Sequence, residues 1–126
     1  MTNNTLLLRQ VSPKWVQEGR VTSQVFKPTP KDKKRLSVYD GDLIDPENAW
    51  RHYTGELGFP SEGVLAVTVT ECQTLGLPAE PDPKPFPAHA VIRFDGCSAS
   101  QIESKAKYLR KAAQARGWQY HPEGGE

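Results

Sequence analysis

The chain has 126 residues, a formal net charge of +1 at pH 7, and hydrophobic and charged shares of 37% and 25%. This length predicts one domain that can bury a core without covalent staples. The near-neutral balance excludes a protein-wide field that would select an anionic or a cationic partner. Two cysteines are too few for a disulfide framework.

The sequence shows neither a membrane span nor a signal peptide. No apolar run approaches the roughly 18 residues of a membrane span, and residues 1–10 lack the pattern of a secretory signal peptide. We therefore expect a cytoplasmic protein with reduced thiols and no membrane partner.

Residues 1–36 carry eight Lys/Arg against two acids, whereas residues 37–95 carry three against ten. Such segregation predicts a basic and an acidic side unless the fold brings the halves together.

The first half of the chain predicts three strands and one helix. Residues 5–11 form a short apolar run typical of a buried strand. Residues 21–26 and 35–40 alternate as two strands of a hairpin, and the prolines between them break regular structure. A helix then begins with Asp45 as N-cap and Pro46 in the first helical position.

The second half predicts two strands and two helices. Residues 63–69 are apolar on both faces, as in a central strand, and residues 89–94 form another strand. Between them, Thr70 and Gln73 indicate a capping box, and residues 78–87 contain five prolines of an extended surface segment. The last helix is predicted from the cap Ser100 to Gly117, with one buried stripe. That stripe comprises Ile102, Ala106, Leu109 and Ala113.

These elements predict an α+β fold in a single domain over residues 1–126, with a frayed tail at about 119–126. The strand, short helix and strand across residues 63–94 indicate a crossover with parallel pairing, whereas the hairpin 21–40 indicates antiparallel pairing. We therefore expect a mixed sheet of four or five strands, with the C-terminal helix packed on one face.

Two clusters of basic residues could bind nucleic acid. One is the loop 27–35 and the other lies on the helix segment 105–116. Phosphates attract such clusters, but lysines at a hairpin tip also keep strand edges from aggregating. The candidate residues are Lys27, Lys31, Lys33, Lys34, Arg35, Lys107, Arg110 and Lys111.

The proline-rich segment is the second candidate site. An extended proline-rich strand loses little conformational entropy when it docks on another protein. Pro83, Pro85 and Phe86 are the candidate partner-binding residues.

No catalytic residue, metal site or cofactor is assigned from the sequence. The acidic run 40–47 lacks the spacing of a calcium loop, and the three histidines lack the spacing of zinc ligands. Cys72 is most simply a buried thiol, although a pair with His89 is conceivable. A small enzyme would be indicated by a pocket in which Arg9, Ser23, His89 or Cys72 converge.

The strings "GRVTSQVF", "LSVYDGD", "AWRHYT" and "PFPAHAVI" resemble a pattern that recurs among small uncharacterised bacterial proteins. The resemblance covers about residues 6–94. It implies a bacterial or phage origin and assigns no role to any residue.

The sequence leads to one functional hypothesis and two alternatives. We expect a non-enzymatic protein that binds another protein, as an accessory or regulatory component of a bacterial multi-gene system for defence or toxin control. The first alternative is a nucleic-acid-binding module that uses the two basic clusters. The second alternative is a small enzyme.

Overall fold

A computed structural model describes residues 1–29 and 33–122 of the chain. Within these residues, five strands form the central sheet in the order β5-β1-β4-β7-β6. The bounds are β1 Leu6–Gln10, β4 Arg35–Asp40, β5 Val64–Thr68, β6 Ala79–Pro81 and β7 His89–Arg93. The expected α+β fold in one domain is confirmed.

Every pairing in this sheet is antiparallel, so the parallel part of the expected mixed sheet is absent from the described residues. The strands of the expected crossover, β5 and β7, are separated by β1 and β4. β5 is an edge strand, although its sequence predicted a central position. It is apolar on both sides because helices cover both faces of the sheet there.

The predicted hairpin 21–40 does not form. β2 (Val16–Gln17) and β3 (Arg20–Val21) instead make a small hairpin of their own, and Ser23–Phe26 is a 3₁₀ turn. The two-residue connection has positive φ at Glu18 and Gly19, which is typical of the tight turns that join twisted strands. The alternation in residues 21–26 therefore does not mark a strand. It corresponds to a turn whose side chains Val25 and Phe26 are fully buried in the core.

Three α-helices accompany the sheet in the described residues: α1 Pro46–Arg51, α2 Val69–Thr74 and α3 Ala99–Arg116. Asp45 caps α1 as predicted, and α1 continues into a π-helical turn, His52–Glu56. The other two caps lie two residues before the predicted ones. Thr68 with Glu71 caps α2, and Ser98 with Gln101 caps α3.

Two apolar clusters lie on opposite faces of the sheet, as the period of two along a strand requires. The larger cluster joins the strands to α2, α3 and the 3₁₀ turn, and Ala106, Leu109 and Ala113 of the predicted stripe are fully buried in it. The C-terminal helix therefore covers one face, as expected. The smaller cluster joins the other face to α1, whose Ala49 is fully buried.

The first residues after α3 bond to the edge of the sheet. The backbone N–H of Gln119 donates to the carbonyl of Val64 at 2.8 Å, and Tyr120 forms a bridge with Val64 at the outer edge of β5. Part of the expected tail thus covers a strand edge. In the portion of the chain that the structure describes, no helix is both long and apolar enough to cross a membrane.

Candidate functional site

A groove opens on the sheet face that lies opposite α3, and its volume is about 270 Å³. β1, β4 and β7 form its floor. The π-helical turn and the residue that follows it form one wall, and the loop before β7 forms the other. The groove is lined by Leu8, Arg9, Gln10, Ser37, Val38, Tyr39, Tyr53, Leu57, Pro85, Phe86 and His89.

A serine and a histidine meet on the floor of this groove. In the β4–β7 register, Ser37 pairs with Val91 and Tyr39 pairs with His89. Ser37 and His89 are therefore diagonal neighbours on the same face of the sheet. The Ser37 Oγ lies 3.1 Å from the His89 Nε2, within hydrogen-bond distance.

Asp82 fixes the other side of the imidazole. The His89 Nδ1 lies 2.9 Å from the Asp82 carbonyl oxygen and 3.5 Å from its carboxylate Oδ2. A carbonyl oxygen can only accept, so in the neutral ring the proton is on Nδ1 and the lone pair on Nε2. That lone pair accepts the hydroxyl proton of Ser37. The three groups thus have the order of a nucleophile, a base and a group that orients the base, and here a backbone carbonyl makes the orienting hydrogen bond.

The loop between β6 and β7 holds Asp82 in this position. The Asp82 N–H donates to the His89 carbonyl at 2.9 Å, and the His89 N–H donates to the Phe86 carbonyl at 3.0 Å. Both contacts are backbone hydrogen bonds, which do not depend on the ionisation of a side chain. The His89 side chain is 9% exposed, and that of Asp82 is 34% exposed.

Aromatic side chains build one side of the groove around the imidazole. The Phe86 ring lies 5.2 Å from the His89 ring, 4.5 Å from the His52 ring and 5.0 Å from the Tyr39 ring, measured between centroids. The Tyr39 hydroxyl is 2.8 Å from the His52 Nδ1. Burial raises the pKa of Tyr39 well above its ordinary value, and nearby Tyr53 and Glu56 add to the effect. Tyr39 therefore stays a neutral phenol.

Arg9 and Gln10 support the floor of the groove. The Arg9 Nη1 donates to the Ser37 carbonyl at 2.8 Å, and its Nε donates to the Val25 carbonyl at 2.7 Å. The Gln10 amide donates to the Ala49 carbonyl at 3.1 Å and accepts from the Ser61 hydroxyl at 2.7 Å. Arg9 thus fixes the backbone that carries the serine, and Gln10 ties β1 to α1.

The residues expected to converge in an enzyme are only partly brought together. Arg9 and His89 line the groove, whereas Ser23 lines a pocket on another part of the surface. Cys72 lies in the larger core cluster and is fully buried. Burial raises the pKa of this thiol to about 12, and the charge of Glu71 adds to the rise. The conceivable pair of Cys72 with His89 is not formed, because the thiol belongs to the cluster that packs against α3.

The sequence analysis missed two residues of this arrangement, Asp82 and Ser37. The alternation along residues 35–40 places Ser37 on the face of β4 opposite Leu36 and Val38. This placement is the only local indication that Ser37 could belong to a site. Its partner histidine is 52 positions away. Pairing of β4 with β7 alone brings the two together, and no local pattern specifies that pairing.

The predicted partner-binding residues contribute to the groove. Pro85 and Phe86 form part of its wall, whereas Pro83 is not among the lining residues. No group of three or more His, Cys, Asp or Glu side chains in the described parts of the chain is arranged to hold a metal ion.

The predicted nucleic-acid-binding residues have varied surroundings. Lys27 is 2.7 Å from a carboxylate oxygen of Glu103, and the Lys34 Nζ donates to the Cys97 carbonyl at 2.8 Å. Lys33 lies in a turn, Arg35 begins β4, and Lys31 lies outside the described residues. Lys107 and Arg110 line a second pocket, and Lys111 lines a separate one beside Glu71.

Comparison with models of protein families, with curated proteins and with solved structures found no match for the chain.

Proposed function

We propose that the protein is a small enzyme that hydrolyses an ester or thioester through a serine nucleophile. Ser37 is the nucleophile, His89 is the general base and Asp82 orients the imidazole. The single observation that supports this proposal is the 3.1 Å contact between the Ser37 Oγ and the His89 Nε2, with Nδ1 held by Asp82. A serine hydroxyl is a weak nucleophile until a neighbouring base accepts its proton.

The proposed reaction has two halves. The Ser37 Oγ attacks the substrate carbonyl carbon while its proton moves to His89 Nε2, and the carbonyl π electrons move to its oxygen. The tetrahedral intermediate then collapses, and the leaving group departs with the proton from Nε2. Water repeats the sequence at the acyl-serine, with His89 as base, and releases the acid and free Ser37.

Charge in the groove suits these steps. The carboxylate of Asp82, 3.5 Å from Nδ1, favours the imidazolium that forms when Nε2 takes the proton. The Arg9 guanidinium donates to the Ser37 carbonyl and so holds the backbone that carries the nucleophile.

The shape of the groove limits the substrate. Drug-sized ligands occupy pockets of roughly 300–1,000 Å³, and this groove has about 270 Å³. Its walls are the side chains of Tyr53, Leu57 and Phe86. We therefore propose a substrate whose acyl part is a short chain or a single ring.

Active-site labelling tests this function. A fluorophosphonate probe should phosphonylate Ser37, because the serine oxygen displaces fluoride from phosphorus, and peptide mass spectrometry identifies the modified residue. Hydrolysis of p-nitrophenyl acetate and p-nitrophenyl benzoate should fall at least ~100-fold in Ser37→Ala and in His89→Gln. Asp82→Asn keeps the backbone carbonyl that holds Nδ1 and should cause a smaller decrease.

The matched control is Ser104→Ala, which changes an exposed serine on α3 and should leave both readouts unchanged. Labelling that survives in Ser37→Ala, or ester hydrolysis equal in all variants, would refute the proposal. Because Ser37 is exposed, its replacement by alanine should not impair folding.

Binding of another protein is the second candidate function, and the position of Pro85 and Phe86 at the mouth of the groove favours it. Leu57 and Phe59 nearby are 40% and 53% exposed. Aromatic and apolar side chains on the surface are frequent anchors of interfaces. Phe59→Ser should then reduce partner retention while Leu43→Ser, a change at another exposed apolar residue, should not. Within this second proposal, an accessory role in a bacterial, cytoplasmic multi-gene system stays a prediction from the sequence.

A further inference from the structure

A second pocket lies away from the groove, where α3 crosses the β2–β3 hairpin and the 3₁₀ turn. Its volume is about 390 Å³. Arg20 from β3 and Lys107 and Arg110 from α3 contribute three positive charges. The side chains that bear on its chemistry are Glu18, Arg20, Thr22, Ser23, Lys107 and Arg110.

The tertiary structure assembles this basic pocket from two distant segments. Lys107 and Arg110 are three positions apart on a helix and therefore share one face. The Arg110 Nη1 donates to the Val21 carbonyl at 3.2 Å and docks that face against the hairpin. Residues 18–23 and 107–110 thus meet although more than 80 residues separate them in the chain. The pocket therefore brings a basic residue of the N-terminal segment, Arg20, close to the basic residues of α3.

The charges of this pocket are not neutralised by direct ion pairs. Among the described residues, none of Arg20, Lys107 and Arg110 has a carboxylate oxygen within 4.0 Å, whereas Lys27 and Arg116 are paired with Glu103 and Glu71.

Two carboxylates nevertheless oppose these cations. Glu18 lines the pocket, and the charge of Lys107 contributes, after the stronger effect of Lys27, to the lowered pKa of Glu103. Three cations against one lining carboxylate leave an excess of positive charge in the pocket. A concave surface with an excess of one charge concentrates counter-ions of the opposite sign.

We propose that the basic pocket binds a phosphate group. A phosphate carries up to two negative charges and three acceptor oxygens, which match the donors of two arginines and one lysine. The Thr22 and Ser23 hydroxyls at the pocket can donate further hydrogen bonds. The phosphate belongs either to a small ligand such as a nucleotide or to a nucleic-acid backbone, and both sources present the same chemistry.

The proposal differs from recognition by the loop 27–35. Lys27 and Lys34 of that loop already bind Glu103 and the Cys97 carbonyl. The pocket residues Lys107 and Arg110 were predicted from the sequence as nucleic-acid contacts, whereas Arg20, Thr22 and Ser23 were not. The pocket is also independent of the groove, so a failure of the proposed hydrolase leaves this inference unaffected.

Amide shifts in a ¹⁵N-labelled sample, followed during titration with sodium pyrophosphate, test the site. We expect saturable shifts at residues 21–23 and 107–110. The double variant Arg20→Gln/Lys107→Gln should weaken binding at least ~tenfold, since two charge-assisted contacts to the phosphate are lost. Arg110 is retained because it docks the helix. Lys84→Gln, a change of a cation that does not line the pocket, is the matched control.

Sodium chloride at equal ionic strength distinguishes specific binding from screening. Shifts that do not saturate, that chloride reproduces, or that persist in the double variant would overturn the proposal. Parallel titrations with AMP and with an eight-residue oligothymidylate identify the source of the phosphate. AMP binding as tight as the oligonucleotide indicates a small ligand. Much tighter oligonucleotide binding that falls steeply with salt indicates a nucleic-acid backbone.

Discussion

At the residue scale, the tautomer of His89 is set by its backbone neighbour. The carbonyl of Asp82, 2.9 Å from Nδ1, accepts a hydrogen bond and has no proton to donate. The lone pair on Nε2 must therefore point toward Ser37 in the neutral ring. We therefore expect the same tautomer in Asp82→Asn, which keeps this carbonyl. The hydrogen bond that orients the base and the charge that stabilises the imidazolium thus come from different atoms of one residue.

Tyr39 gives a prediction about alkaline pH. Its pKa is raised in the folded state mainly by burial, above the ordinary value of 10.0. The unfolded chain therefore loses this proton first, and above about pH 10 the free energy of unfolding should fall as pH rises. Urea unfolding between pH 8 and 11 should show a smaller fall for Tyr39→Phe. The same slope in wild type and variant would contradict the prediction.

At the scale of elements, the N-caps show how local geometry selects one polar residue among several. Ser98 accepts from the Gln101 N–H at 3.2 Å, and the Gln101 side chain accepts from the Ser98 N–H at 2.8 Å. Ser100 with Glu103 has the same sequence pattern, but Ser100 lies inside α3. Glu103 is instead engaged by Lys27. Of the two equally spaced capping boxes, the helix therefore uses the first.

Two serine variants test this assignment. Ser98→Ala should lower the free energy of unfolding by about 1 kcal/mol, because the cap of the longest helix is lost. Ser100→Ala removes a hydroxyl from an exposed position within the helix and should change stability little. Urea unfolding followed by circular dichroism measures both. A larger loss in Ser100→Ala than in Ser98→Ala would show that the helix begins where the sequence pattern alone predicted.

The π-helical turn is the element that positions one wall of the groove. It begins after Arg51 and contains Tyr53, and Leu57 follows its last residue. A π turn inserts an extra residue and rotates the side chains that follow, which is why such turns are frequent at functional sites. Here both Tyr53 and Leu57 line the groove.

At the scale of the whole molecule, the chain after α3 completes the sheet. The Val64 N–H donates to the Tyr120 carbonyl at 2.8 Å, and the Tyr120 ring lies 5.5 Å from the Trp50 ring. This segment therefore contacts both the edge of β5 and the helix on the groove side. It satisfies backbone groups that an exposed edge would leave unpaired.

Gly63 permits this closure. A Cβ at Gly63 would lie 2.7 Å from the Tyr120 carbonyl oxygen, and its φ is +155°. Gly63→Ala should displace the C-terminal segment and cost about 1–3 kcal/mol of stability. Urea unfolding and limited proteolysis near residue 118 measure both effects. Gly55→Ala, where a Cβ meets nothing within 4 Å, is the control and should not destabilise. Equal stability of the two variants would contradict this role of Gly63.

The sequence by itself determined the local structure. Apolar runs identified β1, β5 and β7, alternation identified β4, and the Asp45-Pro46 pair identified the start of α1. The sequence also predicted the buried stripe of α3, because the spacing of apolar residues over a few helical turns is enough to show a helical period. These features depend on residues near one another in the chain, so local propensity and hydrophobic spacing suffice to predict them.

Only the tertiary structure decided which strands pair and which side chains meet. The apolar runs of β5 and β7 predict strands that are covered on both faces, and they do not specify whether the neighbouring strands are parallel or antiparallel. The pairing of β4 with β7 places Ser37 beside His89, and the docking of α3 on the hairpin places Lys107 beside the segment of Arg20. Both candidate sites arise from contacts between segments far apart in the chain. The free energy of packing the whole sheet and its helices specifies such contacts, and no local pattern does.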